Sequence, residues 1–462
     1  MAASSTADCV IVGAGMSGMS TARTLAQQQP DLSVVVVEKD AAPGGRVQTD
    51  NVDGFLCDRG FQVFIEEYPM AKRTFDYKAL KLRNFLPGAL VLKGGEFNLV
   101  SDPIRRPQDL LASLLSPIGT FADKLKVGLY RLSCVRSTEE DIFSRPERPT
   151  VDFLRNELKL SDSMISSFFL PFYRGIFLAP LDRQSSRMFE WLFSLFARGP
   201  ASLPEGGMGE LARQLASGVK DLRLSTEVLR VERARDGTYV VALAGGETVK
   251  CRSVVLATDA PATLKLLSGV GVTANALSGS LADLFKPGLE SWTFYWGLDQ
   301  EAPIKAPILL LNGETERRLP FRINNMCFPS QVCGSYAPAG KALLSVTLCD
   351  SDEWRDKDES QVEPAVRQVL QDIWPDVMAN AKFLRSYRIR YSQPSQEPPM
   401  KVPLQSDPTL AGTLPEGLVL CGDYMSTPTL NGALDSGERA AMCLLRTGVG
   451  RAEEAYAAAT VT

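Results

Sequence analysis

The sequence predicts an α/β fold in which a Rossmann-like unit is interleaved with a mixed-sheet domain and a helical cap. Three observations carry that prediction. First, Cys9–Val12, the glycines Gly13, Gly15 and Gly18, a helical pattern through Ala26 and the run Val34–Val37 follow one another as strand, turn, helix and strand. Second, Met164–Phe196 is crowded with aromatic residues, among them Phe168, Phe172, Tyr173, Phe189 and Trp191, as the core of an all-helical cap would be. Third, several strand-like runs between Ala260 and Asp407 alternate with one stretch of helical spacing.

In the first unit the three glycines have separable tasks: a tight turn, close approach of backbone to a diphosphate, and close packing of helix on strand. The helix opening at Met16 and Ser17 aims N–H groups and its positive dipole end at that diphosphate. Glu38, followed by Lys39, ends the second strand where a carboxylate accepts hydrogen bonds from an adenosine ribose. Strand, spacing, helix, second strand and acid agree on a dinucleotide site.

At 462 residues the chain is long enough for two or three domains. A formal net charge of −4 leaves no basic footprint and argues against a nucleic-acid partner. No apolar run reaches the roughly 18–20 residues that cross a bilayer. Only a short polar lead, Met1–Ala7, precedes the first strand, with no targeting segment in it. The expectation is a soluble or peripheral membrane protein of the cytoplasm or plastid stroma. The nine cysteines are scattered, lack a CxxC pair and read as reduced, half-buried thiols. Histidine is absent from the chain, which excludes Ser-His-Asp and Cys-His catalysis and histidine-ligated metals; no metal is expected. Proton transfer must use other side chains, water or a cofactor, and a cofactor is the natural carrier of hard chemistry.

After Glu38 a turn-rich segment ends in Gly44-Gly45-Arg46, and Val52–Phe64 reads as a short strand followed by close backbone approach. The glycine triplet, the acid, the Gly-Gly-Arg turn and the Asp58-Arg59-Gly60-Phe61 block together resemble the flavin-containing amine oxidase and phytoene desaturase superfamily. Protoporphyrinogen oxidases and carotenoid isomerases also belong to it. The resemblance implies FAD. It puts Gly45 and Arg46 against the diphosphate and ribityl chain, and the backbone of Gly60, Phe61 and Gln62 along the flavin ring. Asp58 reads as a buried turn carboxylate rather than a catalytic one.

Prolines and arginines from Pro103 to Pro107 mark a loop, and apolar helical spacing then runs from Leu110 to Leu132. This stretch and the aromatic segment form the expected cap, whose free surface can line a channel for a greasy substrate or touch a bilayer. Gly206-Gly207 restarts a turn and a helix. Glu227–Val231 and Tyr239–Leu243 read as a hairpin turning at Asp236-Gly237, and Val254–Thr258 as an apolar strand. By resemblance the chain here returns to the FAD domain, with the backbone of Val228 on the adenine. Trp292–Leu298, Ile308–Leu311, Ala342–Cys349 and Tyr387–Tyr391 read as strands, Glu363–Met378 as a helix, and Pro394–Pro403 as a proline-rich loop. Leu418–Cys421 then delivers Gly422-Asp423 to a short loop and a final helix. In the family, the acid at Asp423 approaches the ribityl or diphosphate region. The helix start near Ala433 points N–H groups at the flavin's pyrimidine edge, where a reduced flavin carries negative charge. The expected organisation is a Rossmann-like FAD-binding domain in three parts (5–83, 204–265, 407–462), interleaved with a helical and mixed-sheet substrate domain (84–203, 266–406).

Two departures from the amine oxidase pattern bear on the reaction. Many amine oxidases of the superfamily place a lysine at the start of a strand in the substrate domain; Ser291-Trp292-Thr293-Phe294 has none, and Lys286 is a poor match. No cysteine lies in Tyr387–Pro403, where covalent members link their flavin, so FAD is expected to be non-covalent. The tail Asp423–Ala441 and the aromatic middle resemble the desaturase and isomerase branches more closely. The expectation is an FAD-dependent oxidoreductase acting on a hydrophobic, isoprenoid- or carotenoid-like substrate by hydride transfer to flavin N5, with a quinone or O2 as electron acceptor. The alternatives are an amine or protoporphyrinogen oxidase using O2, or a redox-neutral isomerase or hydratase. Tyr391, Tyr424 and Arg174 are the candidate catalytic side chains. The tyrosines lie near the flavin-side motifs, and Arg174 sits in the aromatic segment.

Overall fold

Valine and isoleucine, stiff at χ1, dominate the buried half of β1 (Ser4–Val12) and all of β2 (Val34–Val37), which favours strand over helix. The two pair in parallel across α1 (Met16–Gln28). The structure, a computed structural model, describes residues 4–448 apart from 274–282, 315–322, 350, 396, 401–406 and 411. The segment expected at 407–462 is therefore described as far as residue 448, and the loop Pro394–Pro403 in part.

Beyond a short hairpin of Thr49–Val52 with Phe55–Asp58, the chain enters a second layer through β3 (Gly88–Lys93) and β4 (Glu96–Ser101). These strands fall in the stretch expected to be helical. Gly94 and Gly95, both at positive φ, form the two-residue turn between them. The single helical stretch expected over Leu110–Leu132 is two helices, α2 (Leu110–Leu115) and α3 (Phe121–Arg136). Pro117 lacks the N–H a continuous helix needs, and Thr120 restarts the helix through a reciprocal capping box with Asp123. α4 (Leu170–Phe177) and α5 (Ser186–Arg198) carry the aromatic segment, and Tyr173 meets Phe189 with ring centroids 4.6 Å apart.

The chain returns to the first layer with β5 (Asp221–Arg223), β6 (Val228–Arg233), β7 (Tyr239–Leu243) and β8 (Thr248–Leu256). The second layer is completed by β9 (Leu289–Leu298), β10 (Leu309–Asn312), β11 (Ile323–Cys327), β12 (Ala342–Leu348) and β13 (Lys382–Gln393). The helix expected over Glu363–Met378 is again two, Glu359–Ile373 and Pro375–Ala379, because Pro375 cannot continue the first. β14 (Leu418–Leu420) and α6 (Leu430–Arg446) close the first layer.

The first sheet runs β5-β2-β1-β8-β7-β6, with β14 parallel to the carboxyl half of β8. The ends of β1, β2, β8 and β14 therefore open on one crevice, the place where a doubly wound sheet takes its ligand. The second sheet runs β13-β9-β12-β11-β10-β3-β4 and is antiparallel except between β10 and β3. All nine cysteines are outside disulfides and buried rather than half-buried. Among the described residues, no helix is long and apolar enough to cross a membrane.

α6 is held on α1 at close range. Thr21 Oγ1 donates to the Gly437 carbonyl at 2.9 Å, and Ser20 Oγ to the Leu434 carbonyl at 2.8 Å. A Cβ on Gly437 would lie 2.2 Å from the Ser17 carbonyl oxygen. Gly437→Ala should therefore cost about 1–3 kcal/mol, read as a lower urea midpoint at unchanged slope.

Candidate cofactor and substrate site

Two of the tasks expected of the glycine turn, the tight turn and the close packing of helix on strand, show in its geometry. Gly13 turns at φ 103°, and a Cβ there would lie 2.9 Å from the Ala257 carbonyl oxygen. A Cβ on Gly18 would lie 2.0 Å from the Gly13 carbonyl oxygen, so this glycine lets α1 seat on the turn. A Cβ on Gly15 would meet nothing within 4 Å, because this residue faces open space. α1 has no side-chain cap at its amino end, so its first-turn amides at Met16 and Ser17 suit an anion.

Glu38 is buried, with Oε2 accepting from the Ala14 N–H at 2.8 Å and Oε1 from the Asp40 N–H at 3.0 Å. Each oxygen keeps a second lone pair for a ligand hydroxyl.

Arg46 does not face the site as an unpaired cation. Its Nη1 and Nη2 fork onto the two Asp423 carboxylate oxygens at 2.8 Å each, and Nη1 also donates to the Ser392 carbonyl at 2.9 Å. Burial works to lower the guanidinium pKa, but the Asp423 charge and hydrogen bonds outweigh it and hold the pKa above its ordinary value. Gln62 Nε2 donates to the Arg46 carbonyl at 2.6 Å and to the Arg59 carbonyl at 3.0 Å, tying the Gly-Gly-Arg turn to the next block. The Phe61 N–H donates to Thr293 Oγ1 at 3.2 Å, so the strand that lacks the amine-oxidase lysine presents a hydroxyl to the backbone instead.

One cavity of about 1210 Å³ runs from this cradle into the cap. All the candidate cofactor residues line it except Gly18, which packs behind the turn. The Ala433 N–H is already given to the Thr429 carbonyl at 3.0 Å and the Gly432 N–H to Thr429 Oγ1 at 3.1 Å, which leaves ligand contact at this helix end to the amides of Leu430 and Asn431. Of the candidate catalytic residues, Tyr391 lines the cavity. Its hydroxyl is buried without a hydrogen-bond partner among the described residues, 5.8 Å separate its ring centroid from the Arg46 guanidinium carbon, and burial pushes its ionisation up. Tyr424 donates to Thr263 Oγ1 at 3.1 Å within the core, and neither it nor the buried Arg174 lines the cavity. The outer part is walled by Leu125, Leu129, Phe168, Phe172 and Phe196. Sequence reasoning passed over Asn325, a buried amide on the wall whose Oδ1 accepts from Asn324 Nδ2 at 2.9 Å, while the same amine also donates to the Pro171 carbonyl at 3.0 Å. The available signal was a pair of asparagines inside an otherwise apolar strand.

Asp58 lies behind the cradle, not on the cavity wall. Its carboxylate accepts from Thr49 Oγ1 at 2.5 Å, the Met208 N–H at 2.9 Å and Tyr336 Oη at 2.8 Å. Burial nonetheless pushes its pKa up to about 6, against those donors. A carboxyl whose pKa is raised by folding binds its proton more tightly in the folded state, so its contribution is full below the unfolded pKa and is lost as pH rises through the folded one. The stability difference between the parent and Asp58→Asn should fall by on the order of 2–3 kcal/mol between about pH 4 and pH 6, measured by denaturant titration.

A glycine turn open at Gly15, a buried acid beside it and an apolar passage leading to both lie on one continuous cavity. The sequence profile of the flavin-containing amine oxidoreductases matches residues 16–445, and the chain belongs to that family. It is 21% identical to 15-cis-phytoene desaturase, chloroplastic/chromoplastic, of Capsicum annuum, over 98% of this chain and 81% of that one. A 38% identical match to protoporphyrinogen oxidase 1, chloroplastic, of Arabidopsis thaliana covers 15% of this chain and 14% of that one. Wild-type putrescine oxidase bound to putrescine superposes with a TM-score of 0.68 at 15% identity, over 96% of this chain and 100% of that one. At that identity the likeness shows the fold alone.

Proposed function

We propose that the chain is an oxidoreductase that holds FAD non-covalently and oxidises a hydrophobic substrate of isoprenoid or carotenoid type. The observation that carries the reading is the single cavity joining the dinucleotide cradle to the oily passage. Its volume of about 1210 Å³ exceeds the roughly 300–1,000 Å³ of a site for one small ligand, which suits a dinucleotide and a second molecule together. Met16 and Ser17 would hold the diphosphate, Glu38 the ribose, and the backbone of Gly60, Phe61 and Gln62 the ring.

When bound, FAD supplies a two-electron acceptor at N5. The chain's own residues position and shield. Thr293 and Gln62 fix the backbone that would face the ring, the Arg46–Asp423 fork clamps the two ends of the sequence across the site, and Phe168 and Phe172 keep water out. Tyr391 stays neutral at physiological pH, since burial and the Asp423 charge both raise its pKa. It can therefore hold one hydrogen bond but does not serve as a base. Asn325 offers one oriented amide to a substrate that carries a single polar group.

Arg105 and Lys124, whose side chains donate to backbone carbonyls, also line the wall, while Arg131 there is paired with Asp102. The charge of Arg105 and Lys124 disfavours an ammonium substrate and supports a second reading, a carboxylate-bearing porphyrinogen. Anaerobic photoreduction of the purified protein followed by reoxidation separates the two. The leading reading expects rapid reoxidation by quinones and no peroxide with amines or porphyrinogens, whereas peroxide release on aerobic turnover with a porphyrinogen selects the second.

A further inference from the structure

Among the described residues, nine of the eleven exposed large hydrophobic side chains fall between Ile104 and Val135, on α2, α3 and the segments beside them, and Lys124 of α3 ties the two helices through the Leu114 and Ser116 carbonyls. On α3, Phe121, Leu125, Leu129, Leu132 and Val135 recur at three- and four-residue spacing and share a face. Leu111 and Leu115 extend the patch along α2. Contiguous apolar surface on this scale marks a docking face.

Charge decides what docks. Residues 103–136 hold six basic and two acidic side chains in a chain that is acidic overall. Both acids are engaged, Asp109 by Arg106 and buried Asp123 by Thr120 and Ser161, and Arg131 is in turn paired with Asp102 at 2.8 Å, so the basic excess rests on Arg105, Lys124, Lys126 and Arg136. A second copy of the chain would bring two basic rims together, whereas an anionic surface would neutralise one.

The patch is also continuous with the cavity. Leu125, Leu129 and Leu132 are exposed and line it at the same time. Between them lies Gly128, a helix-interior glycine on the cavity wall, where a Cβ would meet nothing within 4 Å. Glycine weakens a helix interior, and here its missing side chain leaves a notch from the exposed face into the cavity.

We infer that α2 and α3 dock on an anionic lipid bilayer, and that an apolar substrate passes from the bilayer into the cavity through the notch at Gly128. The second half rests on the reading of the cavity as a site for a hydrophobic substrate; the docking half is read without turnover and stands or falls separately.

The test is flotation of the flavin-loaded full chain with vesicles of phosphatidylcholine alone or doped with phosphatidylglycerol. Binding is expected to the doped vesicles. The pair Leu125→Glu with Leu129→Glu should weaken it by about tenfold or more at unchanged melting temperature, since both side chains are exposed. Lys126→Gln with Arg136→Gln should weaken it by about fivefold per charge, on the doped vesicles only. A tryptophan placed at the notch, Gly128→Trp, should add emission that brominated acyl chains quench. Failure to float, emission that brominated lipid leaves untouched, or a dimer that the Leu125/Leu129 pair splits into monomers would each overturn the assignment.

Discussion

Glu38→Ala is expected to strip the protein of its flavin. The carboxylate sits at the end of β2 and ties down the Ala14 and Asp40 amides, so its loss acts twice. The Ala14 N–H, inside the turn between Gly13 and Gly15, is left buried without an acceptor, at a cost of about 1–3 kcal/mol in stability. With the ribose placed on Glu38 as proposed, the ligand also loses its charged acceptor, and with it about 10–100-fold in flavin affinity. Glu38→Gln keeps one acceptor oxygen and should fall between. The measurement is the flavin-to-protein ratio after gel filtration, followed by titration of the stripped protein. Full loading of Glu38→Ala would put the ribose elsewhere.

Arg46→Ala is the second large effect. Asp423 is 8% exposed and Arg46 is 35% exposed, so the pair is neither a surface bridge nor a fully buried one. Removing the arginine leaves the aspartate almost sealed from water without its counter-charge. The expected cost is about 2–3 kcal/mol, below the range for a fully buried pair because solvent reaches the guanidinium side. Replacing both residues, Arg46→Met with Asp423→Leu, should recover most of that stability but not flavin retention, since the clamp joining the first and last stretches at the cofactor would be gone. A double-mutant cycle read by both denaturation and flavin titration separates the two consequences.

What was legible in the sequence was local. The β1–α1–β2 unit and Glu38 could be read because each rests on spacing along one stretch of chain, as could the β6–β7 hairpin at Asp236-Gly237. The β3–β4 hairpin was equally local, marked by Gly94-Gly95 between an apolar run and a second strand-like run, and was hidden only by the helical stretches that follow it. The break between α2 and α3 was signalled by Pro117, but apolar periodicity continues across it. The fork between Arg46 and Asp423 had no sequence signal, because its partners are 377 residues apart and each side chain alone reads as a ligand contact. Tyr424 illustrates the same limit: adjacency to a motif placed it near the site, while the short helical turn Asp423–Met425 after β14 directs its ring into the core behind.

The central claim is that three separated stretches of chain close around one dinucleotide, and the visible absorbance spectrum of the purified full chain tests it most directly, with release of the chromophore on denaturation. The account predicts a yellow protein whose flavin passes an ultrafiltration membrane as free FAD once the chain is unfolded, leaving no colour on the polypeptide. A colourless protein whose melting temperature is indifferent to added FAD would contradict it.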